Sequence, residues 1–408
     1  MKIAVISDMH FGYGYGTELE DDSFDNANEA IDAAMSSGAD FILIPGDIFD
    51  SRFPKTDVLT HAVKILAKPL VESGRGVNVE SCSKELKPIS ARTLQHIPVI
   101  AIHGTHERRH GANTIEALEN AGMLVHLHKE TICLEKDGVR VAVHAMSGLP
   151  ERDAKQNLVE WNPKPMENCI NILMMHQSID PFIYSPLEPT MLKIEDLPRG
   201  FDLVIDGHLH MHGLEKSTDS QILFPGSTVI TQFEENEADG EKGFYLIDVG
   251  QKLDIEFVPL RNSRKFFILN LQADSRLKER IENEIERILS NNFSKIPLIK
   301  VRITGSPNEV IDQELKEMER KYSDRAILRV VKSLESPEMA GKVELLRMAR
   351  EEKMTIEEMG MKLLNDSLKG MEFEGSFDHE RLFDILADGD VDNAFNILIG
   401  EQKTLVNK

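Results

Sequence analysis

Cysteine is scarce in this 408-residue chain. The three present, Cys82, Cys133 and Cys169, are too few and too scattered for a disulfide framework or a zinc ribbon, so a reducing compartment is indicated and a cytoplasmic location is expected. Long apolar runs are missing as well. Stretches such as Phe41 to Pro45 and Val99 to Ile102 fall far short of the roughly 20 residues that a membrane helix needs. Met1 leads straight into a strand-like segment, so neither a membrane span nor a secretory signal is expected. Internal repeats and low-complexity tracts are also lacking.

Positive charge is the third deficit, with 47 Lys+Arg against 69 Asp+Glu and a net charge of −22. So acidic a chain repels nucleic acid as a whole; a polyanion would have to be held through bound cations or a local basic surface. The imbalance is uneven: residues 1–262 sum to −18, residues 263–333 to +4 and residues 334–408 to −8. What the chain does have is core material, since 41% of its residues are hydrophobic.

Periodicity divides the chain in a matching way. Strand-like Lys2 to Ile6, Phe41 to Ile44 and Val99 to Ile102 alternate with helix-like Asp25 to Met35, Asp57 to Leu70 and Thr114 to Ala121. From Val139 onward, strand-like segments at Val139 to Ala145, Ile170 to Met175, Phe201 to Ile205, Gln221 to Phe224, Gly243 to Val249 and Leu253 to Val258 are mostly joined by short polar turns. Helical connections early and hairpins late predict a layered α/β core with two sheets. Residues 265 to 331 then read as a compact βαβαβ unit, and beyond Pro337 the chain turns to helical, Met- and Glu-rich runs at Lys342 to Glu351 and Thr355 to Leu368. The expected domains are therefore residues 1–262, 263–335 and 336–408.

Chemistry gathers at strand ends. Ser7-Asp8-Met9-His10 follows the first strand, where extended-chain alternation would put Asp8 and His10 on one side. Gly46-Asp47-Ile48-Phe49-Asp50 follows the second and Gly104-Thr105-His106-Glu107 the third. His176-Gln177 and Gly207-His208-Leu209-His210 follow two of the later strands. Any one of these has an ordinary explanation as a turn or a satisfied core histidine; five strands delivering Asp or His just past their carboxyl ends do not. Two divalent ions about 3.5 to 4 Å apart, bridged by a carboxylate, can hold a phosphate ester and activate water for in-line attack. Mixed carboxylate and imidazole donors suit Mn²⁺, Fe²⁺ or Zn²⁺ over Mg²⁺ or Ca²⁺. His103, His126, His128 and His144 read as packing or surface residues.

The order D-x-H, G-D-x-x-D, G-x-H-E, H-Q, G-H-x-H over residues 8 to 210 resembles the calcineurin-like metallophosphoesterase superfamily. The Phe224-Pro225-Gly226-Ser227 turn and the α/β unit after it are similar to its double-strand-break repair nuclease branch, of the Mre-eleven and SbcD type. The resemblance implies a two-sheet metallophosphoesterase core flanked by helices, a small α/β cap that positions DNA, and C-terminal helices. It implies two divalent metal ions, here expected to be Mn²⁺. Asp8, His10, Asp47 and His210 would hold the first, with Asp47 bridging to a second held by His176 and His208. Where that family has an Asn ligand this chain has Thr105, a weaker and shorter donor, so the second ion would bind less tightly, take an extra water or borrow His103. His106 would be the catalytic histidine and Asp50 its hydrogen-bond partner.

Taken to function, the resemblance implies a 3′ to 5′ exonuclease and single-strand endonuclease acting on DNA ends. Its implied partners are a second copy, through helix 57–70 and run 89–96, and a coiled-coil ATPase of the Rad-fifty or SbcC type docked on the terminal helices. The +4 segment, with Arg264, Lys265, Arg276, Lys278, Arg280, Lys295, Lys300 and Arg302, would face the DNA. Two alternatives share the same motifs: a phosphodiesterase or phosphatase for small substrates, and a weakly active scaffold that tethers the ATPase at DNA ends.

Overall fold

Ile3 and Val5 face one side of the first strand and Ala4 and Ile6 the other, and all four are completely buried. A strand buried on both faces must lie in a middle layer, and that constraint organises the whole core. The computed structural model describes residues 1–107, 113–183, 192–216, 220–238, 240–250, 252–305 and 312–334. These all belong to one unit, Met1–Leu334. The expected terminal helices lie outside the described residues, as do Arg108, Arg109 and His110.

The first sheet has six strands, in the spatial order Leu253–Pro259, Gly243–Val249, Lys2–Val5, Phe41–Pro45, Val99–Ile102 and Val125–His126. Its last four strands are mutually parallel and the first two antiparallel. The second sheet has seven, in the order Gly213–Lys216, Gln221–Phe224, Leu203–Asp206, Ile170–Met175, Val139–Met146, Glu130–Lys136 and Asn78–Cys82. Between the sheets, Ile3, Val5, Phe41, Leu43, Ile100 and Ile102 pack with Val141, Val143, Ile172, Met174, Leu203 and Ile205. Helices Asp22–Ser36, Thr56–Leu66 and Thr114–Asn120 cover the outer face of the first sheet, and helix Glu151–Trp161 covers the second. This is the two-sheet layered α/β core that the sequence implied.

Local chemistry explains where elements differ from expectation. The helix expected over residues 57–70 ends at Leu66, and a 3₁₀ turn, Lys68–Leu70, follows with Pro69 in its first turn; proline there lacks the N–H that would continue the α-helix. The run 89–96 is also 3₁₀, over Ser90–Gln95. Strand Asn78–Cys82 and helix Glu151–Trp161 carry little apolar signal, because the first is a half-exposed edge and the second buries only Ala154 and Leu158.

Residues 266–334 add a three-stranded parallel sheet, Phe266–Gln272, Leu298–Gly305 and Ile327–Leu334, with helices Leu277–Leu289 and Asp312–Tyr322 packed on it. Leu19 and Ile230 meet Phe266, Leu298 and Ile327 where this sheet abuts the rest of the unit. Around that contact, Arg264 and Lys295 pair with Asp22 at 2.5 and 2.9 Å, Lys300 with Glu234 at 2.8 Å, and Arg302 with Glu234 and Glu235. Four of the eight cations expected to face DNA are thus bound to acidic residues of the core. The reason is that the net −18 of residues 1–262 presents carboxylates along the contact. Arg280 pairs with Asp274; Lys265, Arg276 and Lys278 form no ion pair among the described residues.

No helix among the described residues is long and apolar enough to cross a membrane. Leu43→Ala, at a site with no solvent exposure between the sheets, is expected to cost about 2–5 kcal/mol in urea unfolding. Val159→Ala, 64% exposed, is expected to stay within about 0.5 kcal/mol. A loss below about 1 kcal/mol at Leu43 would mean that the sheets do not pack as described.

Candidate metal centre

All five motif loops leave the carboxyl ends of parallel strands, and both sheets contribute. The first sheet presents Asp8, His10, Asp47, Asp50, Thr105 and His106; the second presents His176, His208 and His210. The loops are stitched together by backbone hydrogen bonds, Asp8 N to Gly46 O at 3.2 Å, His10 N to Asp47 O at 3.0 Å and Phe11 N to Ile48 O at 2.8 Å. Asp8 and His10 converge, but not by strand alternation. Both sit in the left-handed region, at φ 49° and 45°, as do Asp47 at 45° and His208 at 74°. Non-glycine residues rarely adopt that conformation, and it is held where the surroundings over-determine it, most often at functional sites.

Two glycines make room for this crowding. Gly46, at φ 102°, lies where a Cβ would come within 2.3 Å of His176 Nδ1. At Gly104 a Cβ would stand 2.1 Å from Asp47 Oδ1, so the close approach of the two loops excludes any side chain.

Three clusters of donor atoms result. Asp8, His10 and His210 form one, His10, Asp47 and His106 a second, and Asp47, His176 and His208 a third. His10 Nε2 and His210 Nε2 face each other at 3.0 Å, about the separation of two ligands held ~2.1 Å from a common ion at a right angle. Asp8 Oδ1 is buried without a hydrogen bond, whereas buried polar atoms normally have one. The donor set and this atom fit divalent cations. Second partners fix the rings: His176 Nδ1 donates to Pro45 O at 2.7 Å, leaving Nε2 3.2 Å from Asp47 Oδ2. His208 Nε2 lies 2.9 Å from Ser178 Oγ, and His210 Nδ1 lies 2.6 Å from Thr231 Oγ1.

Thr105 Oγ1 donates to Asp47 Oδ2 at 3.3 Å, which places its hydroxyl beside the shared carboxylate. His103 Nδ1 instead lies 3.0 Å from His126 Nε2. His144 is hydrogen-bonded to Thr131 and Asn171, and His212 stacks on Phe257. Asp50 departs from expectation: its carboxylate is 3.9 Å from His106 Nδ1 and nearer to His10 Nδ1, at 3.4 Å. The loop turns so that the Asp50 backbone carbonyl accepts from His106 Nδ1 at 2.8 Å, and the main chain fixes that tautomer.

Glu107 has a role that its place in the sequence does not display. Its carboxylate accepts from Phe49 N at 2.7 Å and Gly104 N at 2.8 Å, tying the second and third loops together. One of these amides is three residues away and the other 58, and no residue pattern announces the longer link.

Electrostatics follow from burial. Burial opposes ionisation of Asp47, but the positive field of His176, His10 and His106 holds its carboxyl well below the usual range. Burial likewise opposes the charged form of His176, yet Asp47 and Asp8 lift it to about 10. His10 is raised, because the carboxylates of Asp50, Asp47 and Asp8 outweigh its burial. His210 is pushed down to about 4 by burial, so its ring is neutral at pH 7. Burial, reinforced by Asp47, lifts Glu107 to about 8.

These shifts set a pH dependence for the ion-free protein. His176 titrates near 6.5 when unfolded, so the stability from its pairing is complete below that pH and is lost as pH climbs through about 10. Glu107, neutral in the fold up to about 8, acts in the same direction. Chelator-treated protein should therefore melt at progressively lower temperature from pH 6.5 to 10, and an added divalent ion, for which Asp47 and His176 would give up the proton they share, should flatten that decline. A level profile without metal would remove the proton from this pair.

Comparison with known proteins bears on this geometry. The sequence profile described as calcineurin-like phosphoesterase matches residues 1–212. The chain is 27% identical over 325 residues to the double-strand break repair protein MRE11 of Encephalitozoon cuniculi (strain GB-M1), covering 75% of this chain and 56% of that protein. It is 28% identical to the DNA double-strand break repair protein Mre11 of Methanopyrus kandleri, covering 76% and 67%. To the protein of that name from Thermoplasma acidophilum it is 27% identical, covering 79% and 82%. The chain thus spans little more than half of the Encephalitozoon relative's length. Because the profile match reaches from the first strand past His210 and takes in over half of the sequence, the chain belongs to the calcineurin-like phosphoesterase family.

Proposed function

We propose that this protein is a metal-dependent DNA nuclease of double-strand-break repair, hydrolysing phosphodiesters at DNA ends. One observation carries the chemical part of this reading: Asp47 clusters with His176 and His208 on one side and with His10 on the other, and His10 in turn clusters with Asp8 and His210, so a single carboxylate can serve two ions. Asp8, His10, Asp47 and His210 would hold one, and Asp47, Thr105, His176 and His208 the other. When bound, the ions supply Lewis-acid polarisation of the phosphodiester and lower the pKa of water; Mn²⁺ suits the mixed oxygen and nitrogen donors. His106 is the half-exposed member of the group. With Nδ1 committed to the Asp50 carbonyl, its Nε2 is left to meet the leaving 3′ oxygen.

DNA as substrate is supported by the names of the relatives, all double-strand break repair proteins. The dimer, the Rad-fifty-type ATPase, the cytoplasmic location and the three-domain division rest on the sequence resemblance and the composition. A second reading, a phosphodiesterase for small substrates, is favoured by the cations Arg264, Lys295, Lys300 and Arg302, whose pairing with core carboxylates leaves fewer to hold a nucleic-acid backbone.

Labelled single- and double-stranded DNA and a chromogenic phosphodiester, each incubated with Mn²⁺, separate the readings. Cleavage of both substrate classes is expected; turnover of the diester without DNA cleavage would leave the small-substrate reading standing. His106→Asn should slow both reactions by about 10²-fold or more while bound metal stays near the wild-type amount. Parallel loss of metal would make His106 a ligand.

A further inference from the structure

Behind His210, outside the donor clusters, lies a buried ion pair. Glu237 is fully buried and Lys242 is 3% exposed, with Nζ 2.8 Å from Glu237 Oε1. Replacing such pairs with apolar residues is often neutral or stabilising, so net stability is a poor explanation for one. Its contacts suggest another. Glu237 Oε1 stands 3.3 Å from His210 Nδ1, and Oε2 accepts from Thr231 N at 3.0 Å and Gln232 N at 2.7 Å. Lys242 Nζ donates to the backbone carbonyl of His210 at 3.1 Å and to Ser227 Oγ at 2.8 Å.

We propose that Glu237 and Lys242 are the positioning pair of His210. The carboxylate meets Nδ1 together with Thr231, which directs Nε2 toward His10 Nε2 and Asp8 Oδ1, 3.0 and 3.7 Å away. The ammonium holds the residue's own carbonyl, so ring and backbone are gripped from two sides. The same pair fastens Thr231 and Ser227, which keeps the hydroxyl partner of the ring in place. Outer partners of this kind orient a ligating imidazole and raise its basicity, and losing one typically lowers metal affinity about 10–100-fold. The inference rests on the reading of His210 as a metal ligand.

Mn²⁺ titration of the full chain by calorimetry, alongside thermal melting, tests it. The double variant Glu237→Gln with Lys242→Met removes both charges together, so it should melt close to wild type while binding the tighter Mn²⁺ about 10–100-fold more weakly. A folded double variant with wild-type affinity overturns the proposal. If that variant does not fold, Glu237→Asp, which keeps both charges and withdraws the carboxylate from His210 Nδ1, should still weaken the first ion severalfold; unchanged affinity has the same overturning force. His210→Ala separates the two failures. If it too binds as wild type does, His210 is no ligand and the metal reading falls, whereas loss in His210→Ala without loss in the pair variants refutes positioning alone.

Discussion

A carboxylate with 2% of its surface exposed has to be met by positive charge or hydrogen-bond donors on every side, and at Asp47 this demand governs the architecture. One oxygen takes the amide of His106 and the other faces the imidazole of His176. Those partners come from different sheets, so the two sheets must bring the carboxyl ends of their strands to one edge. The inter-sheet core makes that alignment rigid, since Leu43 and Ile100 are locked against Ile172 and Ile205 with no solvent between them. Even the glycines obey the same requirement: the approach of the Gly104 loop to Asp47 is closer than any side chain permits.

Much of this was legible in the sequence because the donors are local to strand ends. A short apolar run followed by Asp or His is visible without knowing the fold, and Ile170–Met175, Gln221–Phe224 and Gly243–Val249 took the bounds that their hydrophobic runs suggested. Asp8 and His10 do come together, but through left-handed backbone and not through strand alternation. Glu107, Glu237 and Lys242 stayed hidden. Their partners are backbone amides, a carbonyl and a ring nitrogen, which a residue pattern does not display, and residue type alone does not show that a carboxylate will be buried.

The direction in which charges face is hidden for a related reason. A segment sum of +4 shows that cations are present but not which way they face. Lys295 and Arg264 converge on Asp22, a residue of the first helix 242 positions from Arg264 in the chain. In an acidic protein the nearest negative surface is its own, and several cations of the three-stranded sheet are spent on holding that sheet in place. Arg302 and Lys300 reach Glu234 and Glu235, beside the turn that also carries Glu237, so the mechanical attachment of the sheet and the support of His210 share one short stretch of chain.

The left-handed backbone at Asp8, His10, Asp47 and His208 has a consequence for tolerance to change. Asparagine and glycine occupy that conformation more readily than other residues. Exchanges to them would relax torsional strain at the moment they delete a donor. At these four places the loss of a donor is therefore offset in part by an easier backbone.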